Sequence, residues 1–139
     1  MRTMYKLAIS LIIICLPVVL AGQDRKEIRD REIVSKTTEE YFIEEGIDDP
    51  VVESEEKYNK DGELIELKEF NSRGQVKLWE KYVYDEDRNL LEEIYLDSRG
   101  RVVRTEKNLY EDGLRVEKQY YNSKNQLYKK KVYVYEYRE

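Results

Sequence analysis

Asp85, Asp87 and Asn89 have the spacing at which a calcium-binding loop places its first side-chain ligands. Such a loop also needs a central glycine and a glutamate at its last position. Here the glycine is missing, and Leu96 stands where the glutamate would bind. A turn rich in turn-forming residues explains the segment better, and we predict no metal site.

Adjacent acidic residues recur in the first half of the chain, and two carboxylates flanking a bond are the machinery of a glycosidase. The pairs are Glu39-Glu40, Glu44-Glu45, Asp48-Asp49 and Glu55-Glu56. With 30 acidic residues in the chain, such pairs arise without a purpose, and a solvated surface explains them. The chain has no His, and its one Cys, Cys15, lies in an apolar run near the amino terminus. We therefore predict no catalytic residue, no cofactor and no enzyme.

A run of three lysines, Lys129, Lys130 and Lys131, is the first candidate for ligand binding. It suits anions such as acidic glycans or phosphates, although lysines also protect an exposed sheet edge from unwanted pairing. Residues 23–57 hold thirteen acidic and six basic side chains, whereas residues 114–139 hold seven basic and three acidic ones. An acidic first edge and a basic last edge favour head-to-tail self-association.

Four aromatic residues, Trp79, Tyr82, Tyr95 and Tyr120, are the second candidate for ligand binding. Flat sheets bearing aromatic side chains bind sugars and peptides, but such rings also pack across strands. We predict that these rings and the three lysines contact a protein or a glycan, and we expect no nucleic-acid partner.

The first 22 residues predict a secretory signal peptide with cleavage near Ala21 or Gly22. Arg2 and Lys6 form a basic start, and the apolar run at residues 7–20 is shorter than the about 20 residues that span a bilayer. We therefore expect a periplasmic or extracellular protein whose mature chain has no transmembrane segment. The predicted regions are a signal peptide (1–22), an acidic segment with a degenerate hairpin (23–57) and a β-hairpin repeat domain (58–139).

The chain from residue 58 onwards repeats with a period of 26 residues. Residues 58–83, YNKDGELIELKEFNSRGQVKLWEKYV, match residues 84–109, YDEDRNLLEEIYLDSRGRVVRTEKNL, at the leading Tyr, at Ser-Arg-Gly and at Glu-Lys. Residues 110–134 match with one residue deleted near Asp112-Gly113. Each unit has two turns rich in Asn, Asp, Ser and Gly, and two runs of strand length. The repeat therefore predicts three stacked β-hairpins.

The predicted fold is all-β, an antiparallel meander of about eight strands in an extended twisted or curled sheet. A closed up-and-down barrel is the alternative. Residues 31–42 and 50–58 predict a fourth, degenerate hairpin around an acidic turn at residues 44–50. Residues 23–31 are either a frayed lead-in or a short helix.

Alternation of side chains along the strands predicts which residues share a face of the sheet. It places Tyr82, Ile94 and Arg104 on one face, and Trp79 and Tyr95 on the other. Both predicted faces mix apolar and charged residues, so either the sheet curls over one face or a partner covers it. Because the third unit is one residue shorter, Arg115 takes the position that Leu90 has in the second unit. Either the turn or a bulge absorbs the deletion.

The stretches YNKDGEL, YDEDRNL and YLDSRGRV resemble YD-repeat (Rhs-type) proteins of bacteria, and the likeness covers residues 58–135. Variant MORN-type repeats, found in some antitoxin-like proteins, look similar. In large YD-repeat proteins the hairpins spiral into a shell that encloses a toxin, so the resemblance implies an extended antiparallel sheet that scaffolds or binds. This chain is far too short to enclose a toxin, and the delivery role does not transfer.

We therefore expect a secreted or periplasmic, non-enzymatic protein that acts as a binding or scaffold module at the cell envelope. The alternative is an antitoxin- or immunity-like protein that binds a single protein partner. A scaffold predicts self-association or glycan binding, whereas an immunity role predicts one tight heterologous complex.

Overall fold

A computed structural model describes residues 21–43 and 49–138, so most of the predicted signal peptide and of the acidic turn lies outside the described residues. Within these residues the structure has one helix and eight strands: α1 Ala21–Asp30, β1 Ser35–Glu40, β2 Val51–Tyr58, β3 Leu64–Phe70, β4 Val76–Tyr84, β5 Leu90–Leu96, β6 Val102–Glu111, β7 Leu114–Asn122 and β8 Leu127–Val132. In this described part, no helix is long and apolar enough to cross a membrane.

All eight strands lie in one sheet, in the order in which they follow one another in the chain. Each strand pairs antiparallel with the next, which confirms the predicted meander and the degenerate first hairpin. Among the described residues, β1 pairs only with β2, and β8 pairs only with β7. The sheet is therefore open, and the alternative of a closed barrel is wrong, because the two outermost strands do not pair with each other.

Five of the hairpins use the same five-residue turn, and its first residue explains why. The side-chain oxygen of this Asn or Asp accepts a hydrogen bond from the backbone N–H four residues later, at 2.8 to 3.0 Å. The first residues are Asn59, Asn71, Asp85, Asp97 and Asn122. The fourth residue of each turn has a positive φ, which glycine adopts cheaply and which Arg88 and Asn125 also adopt here. The predicted turns are confirmed.

The deletion in the third unit is absorbed by the turn between β6 and β7. This turn has only two residues, Asp112 and Gly113, with φ of 51° and 78°. Positive φ at both positions is typical of the tightest hairpin turn, which matches the twist of the flanking strands. Arg115 then lies opposite Tyr110, as Leu90 lies opposite Tyr84, so the predicted position of Arg115 is confirmed.

The predicted distribution of side chains between the two faces is partly wrong. Every hairpin with a five-residue turn has a register shift beside the turn, and an even-numbered residue then lies opposite an odd-numbered one. Glu80 is opposite Tyr95, and Lys81 is opposite Ile94. Tyr95 therefore shares a face with Tyr82, whereas Ile94 lies on the face of Trp79.

The sheet has a ladder face and a tryptophan face. The ladder face carries Glu80, Tyr82, Glu93, Tyr95, Arg104, Glu106, Lys118, Tyr120, Lys129 and Lys131. The tryptophan face carries Lys57, Glu66, Lys68, Trp79, Lys81, Ile94, Lys107 and Lys130. Neither face becomes a closed interior: among the described residues no side chain is fully buried, and Tyr58 and Tyr120 are the only buried apolar ones. Backbone pairing and cross-strand contacts therefore do most of the stabilising.

The segment that could be a lead-in or a helix is a helix. α1 ends in a paired C-terminal motif, in which the Ile33 N–H donates to the Ile28 carbonyl at 2.9 Å and the Glu32 N–H to the Arg29 carbonyl at 3.1 Å. The Val34 carbonyl then accepts the Tyr58 N–H, which joins the helix to the sheet.

Candidate interaction surfaces

The centre of the ladder face is a charged triad that spans three strands. Lys118 Nζ of β7 lies 2.6 Å from a carboxylate oxygen of Glu106 in β6 and 2.8 Å from one of Glu93 in β5. The side chains of Glu106 and Lys118 are only 8% and 15% exposed. Burial disfavours the ammonium, but hydrogen bonds with Glu106 and Glu93 outweigh it and raise the pKa of Lys118. Lys118 therefore stays charged and, through its contacts with Glu93 and Glu106, joins β5, β6 and β7.

Arg104 extends this triad towards the aromatic residues of the ladder face. Its Nε lies 3.1 Å from a carboxylate oxygen of Glu106, and its guanidinium stacks 3.8 Å from the centre of the Tyr95 ring. On β4 the Tyr82 hydroxyl donates a hydrogen bond to Glu80. Burial, and then the bonded Glu80 carboxylate, raise the pKa of Tyr82. These side chains already have partners within the sheet.

Tyr120 is enclosed by side chains rather than presented to solvent. Its ring is only 8% exposed. The ammonium groups of Lys129, Lys118 and Lys131 lie 4.4, 5.7 and 5.8 Å from its ring centre. The Tyr128 ring adds a tilted contact at 6.4 Å between ring centres. Tyr120 therefore packs between side chains of β7 and β8, with cations around its electron-rich ring.

Trp79 organises the opposite, tryptophan face. Its indole N–H donates to Glu66 at 2.8 Å, and the Lys57 ammonium donates to the other carboxylate oxygen of Glu66 at 2.8 Å. Burial opposes ionisation of Glu66, yet the hydrogen bonds from Lys57 and Trp79 outweigh it and hold the pKa of Glu66 below its usual range. Lys68 and Lys81 lie 4.1 and 5.9 Å from the centre of the indole ring.

The structure splits the seven predicted binding residues between the two faces. Tyr82, Tyr95, Tyr120, Lys129 and Lys131 lie on the ladder face, whereas Trp79 and Lys130 lie on the tryptophan face. The five that share a face are spread over β4, β5, β7 and β8 and form no single pocket. That these residues bind a ligand stays a prediction.

Lys130 shows how the predicted basic run is divided. It alternates to the opposite face from Lys129 and Lys131, and its ammonium lies 3.1 Å from a Glu117 carboxylate oxygen. All six residues of β8 are exposed, so the predicted position of the lysines at a sheet edge is confirmed.

The residues with calcium-loop spacing have a structural role in a turn. The Asp85 carboxylate accepts hydrogen bonds from the backbone N–H of Asn89 at 2.8 Å and from its side-chain amide at 2.9 Å. The bond from the Asn89 amide, together with backbone N–H bonds, lowers the pKa of Asp85. Within residues 21–43 and 49–138, no three His, Cys, Asp or Glu side chains are placed to hold a metal ion.

A cavity of about 380 Å³ beside α1 was not expected from the sequence. Its lining includes Arg25 and Ile28 of the helix and Leu64 and Tyr84 of the sheet. Burial, and then the nearby carboxylates, raise the pKa of Tyr84 to about 12. The volume lies in the range of small-molecule sites. The only hint in the sequence was the undecided helix over residues 23–31.

The turn at Gly62 explains why α1 lies close enough to the sheet to line this cavity. Gly62 has a φ of 78° and is buried, and a Cβ there would collide with the Arg25 carbonyl oxygen. Beside it, Glu63 is 6% exposed; one of its oxygens accepts the Asn59 amide at 2.9 Å and the other has no hydrogen-bond partner. The absence of a side chain at residue 62 lets α1 lie directly on the turn.

A comparison with protein-family models finds no match to this chain, and a comparison with curated proteins finds none either. The geometry and chemistry of the described surfaces are therefore the basis for assigning a function.

Proposed function

We propose that the protein is an exported, non-enzymatic module that binds a protein partner and acts as a scaffold at the cell envelope. The observation that carries this proposal is the open sheet, whose two faces and two edges are reachable from solvent in the part of the chain that the structure describes. A single-layer sheet offers a large surface for its mass, with charged groups at defined positions on both faces. Such a surface suits partner binding better than the enclosed site of an enzyme.

A protein partner is favoured over a glycan by the state of the aromatic rings. Sugars stack on a free ring face, but a cation already lies over Trp79 and over Tyr95, at 4.1 and 3.8 Å from the ring centres. Tyr120 is enclosed by lysines. Lys68 and Lys81, which lie over the Trp79 ring, have no ion pair with the described residues, so their charges can still attract the carboxylates of a partner.

Two features of the sequence support the location and the role. Residues 1–22 have the pattern of a signal peptide. The repeats resemble those of YD-repeat and variant MORN-type proteins, in which extended sheets scaffold or bind. The antitoxin-like alternative differs in requiring one tight, heterologous partner.

The proposal is tested by cross-linking in a bacterial host. The full chain with a carboxyl-terminal tag is expressed, cells are fractionated, and the amino terminus of the purified protein is sequenced. A lysine-reactive cross-linker is then applied, and adducts are mapped by mass spectrometry. We expect a mature chain that starts near Gln23, in the envelope fraction, with a reproducible protein adduct.

Two double variants identify the surface that carries the partner. Lys68→Gln with Lys81→Gln removes two cations of the tryptophan face that have no ion pair with the described residues, and Lys60→Gln with Lys124→Gln removes two turn cations as the control. Capture of the purified adduct partner by the first variant should fall about tenfold, whereas capture by the control should stay within about twofold. An uncleaved cytoplasmic protein, or substrate turnover that depends on a carboxylate, would overturn the proposal. A single tight one-to-one complex would favour the immunity-like role.

A further inference from the structure

The two outer strands of the sheet present unpaired backbone groups. All six residues of β8 and five of the six residues of β1 are exposed. Neither strand has a neighbour on its outer side within the described residues. An exposed edge of this kind is a template for pairing with another strand.

The direction of each edge amide follows from the hydrogen bonds at the strand ends. The Tyr133 N–H donates to the Val116 carbonyl at 2.9 Å, so the amide of Tyr133 points into the sheet. Amides alternate along a strand, and those of Lys130 and Val132 therefore point outward. Directly before β1, the Val34 carbonyl accepts the Tyr58 N–H, so the backbone groups of Val34 point into the sheet. The amides of Ser35 and Thr37 in β1 therefore point outward.

The charges of the two edges are complementary. β8 has three lysines and no acidic residue, whereas β1 ends in Glu39 and Glu40 and lies beside the acidic strand β2. Pairing of two β8 edges would oppose lysines to lysines. Pairing of β8 with β1 opposes cations to carboxylates.

Exposed apolar side chains gather beside these same edges. Those next to β1 are Val34, Tyr41 and Ile43. Those on β8 or directly after it are Leu127, Tyr128, Val132, Val134, Tyr135 and Tyr137. An added strand would cover part of both groups, which gains free energy in proportion to the apolar area removed from water.

We propose that β8 of one copy pairs antiparallel with β1 of a second copy and continues the sheet. The proposal deepens the proposed function, since it names a second copy of this chain as one protein partner. Two properties select this partner. The basic edge of β8 matches the acidic edge of β1, and on both strands every second backbone amide points outward.

One register satisfies both the amides and the charges. Val132 opposite Thr37 of the second copy brings two outward amides into a hydrogen-bonded pair. The same register places Lys129 opposite Glu40 of the second copy, and Lys130 opposite its Glu39. Four residues of β8, Lys129–Val132, then lie opposite Thr37–Glu40 of the second copy, and each side chain meets a partner on its own face.

This contact joins two different surfaces, so it leaves a free β8 at one end and a free β1 at the other. Such head-to-tail contacts form open chains unless the rotation between copies closes a ring. We therefore expect the solution mass to grow with protein concentration instead of stopping at a dimer. High salt should weaken the association, because edge charges are screened.

A proline at the edge tests the strand pairing. The protein purified after expression of the full chain is studied by sedimentation velocity over a wide concentration range. Val132→Pro removes an outward N–H and not a bond to β7, whereas Val132→Thr keeps the N–H as the matched control. We expect Val132→Pro to abolish association and Val132→Thr to stay within about twofold of the unchanged protein.

A charge exchange tests the register and the choice of partner. Lys129→Glu and Glu40→Lys should each weaken self-association about tenfold, because an attraction becomes a repulsion. Mixing the two variants places an ammonium and a carboxylate opposite each other again and should restore association. Circular dichroism of each variant confirms that the sheet is formed.

A protein that is monomeric at all concentrations overturns the proposal, and so does association that Val132→Pro leaves unchanged. Association that is restored by no mixture overturns the register. Because these measurements use the purified chain alone, they do not depend on export or on an envelope partner. A failure of the proposed function would appear instead in the cell fractionation and cross-linking.

Discussion

The hairpin β5–β6 and the hairpin β7–β8 have the same backbone plan and opposite charges. In the first, Glu93 lies opposite Glu106; at the corresponding positions of the second, Lys118 lies opposite Lys131. Like charges directly opposite each other are unfavourable within a hairpin. Lys118 resolves this for the central hairpin, since it binds both glutamates from the neighbouring strand.

The comparison shows that each hairpin depends on its neighbour for charge balance. Lys131 occupies the position of Glu106, but within the described residues no strand follows β8 and Lys131 has no ion pair. Its contact is with the Tyr120 ring. The same five-residue turn shapes the backbone of both hairpins, whereas the charges make one hairpin complete and leave the other able to accept a further strand.

The largest contrast should be between Lys118, which balances the charges of the hairpin β5–β6, and Lys131, which has no following strand to balance. Lys118→Met leaves Glu106 and Glu93 without their cation in a partly buried site, and we expect a loss of about 3 kcal/mol in the free energy of unfolding. Lys131→Met removes an exposed cation and should change it by less than about 0.5 kcal/mol. Urea unfolding of the monomer at high salt measures both. Equal losses would contradict a special role for the central triad.

A smaller contrast concerns Tyr110, which leads the third repeat, and Tyr135, which directly follows that repeat. The Tyr110 hydroxyl donates to the Leu90 carbonyl, and the Tyr135 hydroxyl donates to the Arg115 carbonyl. Tyr110→Phe should lower the free energy of unfolding by about 1 kcal/mol. Tyr135→Phe should cost about half as much, because Tyr135 is 43% exposed and water can replace the lost donor. The same urea titration decides, and a larger loss at Tyr135 would refute the ranking.

The smallest contrast concerns how the free energy of unfolding falls at acid pH. Only the turn of the hairpin β5–β6 should contribute to this fall. The backbone N–H of Arg101, and then its guanidinium, hold the pKa of Asp97 below its usual range. The carboxylate therefore stabilises the fold above the unfolded-state pKa of about 3.9, and this contribution is lost as the pH falls through the lower folded-state pKa. The equivalent residue of β7–β8, Asn122, does not titrate.

Exchanging these two turn residues checks that difference. Asp97→Asn should flatten the fall in unfolding free energy between neutral pH and about pH 3, and Asn122→Asp should steepen it. Urea unfolding at a series of pH values measures the slopes. Unchanged slopes in both variants would show that the turn carboxylate does not contribute to the acid sensitivity.

Much of the fold could be predicted from the sequence because its turns are locally encoded. In five of the turns, the side chain of the first residue, an Asn or Asp, accepts a hydrogen bond from the backbone N–H four residues later, and the fourth residue has a positive φ. Strand number and order follow from these turns. Even the position of Arg115 after the deletion could be derived by counting from Tyr110.

The distribution of side chains between faces could not be predicted, because it depends on the register shift beside each turn. Simple alternation put Tyr95 with Trp79, whereas the shift puts it with Tyr82. The charged triad was missed for the same reason: Glu93, Glu106 and Lys118 meet only when three strands are set in register. The cavity beside α1 depends on contacts between segments that are distant in the sequence. A glycine at residue 62 did not indicate that a helix would pack against it.

The scarcity of buried apolar side chains has a thermal consequence. The heat-capacity change of unfolding rises with the apolar surface exposed, at about 12–15 cal/mol/K per residue for ordinary globular proteins. In the described part of this sheet, apolar side chains are largely half-buried or exposed and no side chain is fully buried. Its heat-capacity increment should fall below that range, which flattens the stability curve. The fold would then lose little stability on cooling, and its temperature range would be limited by heat alone.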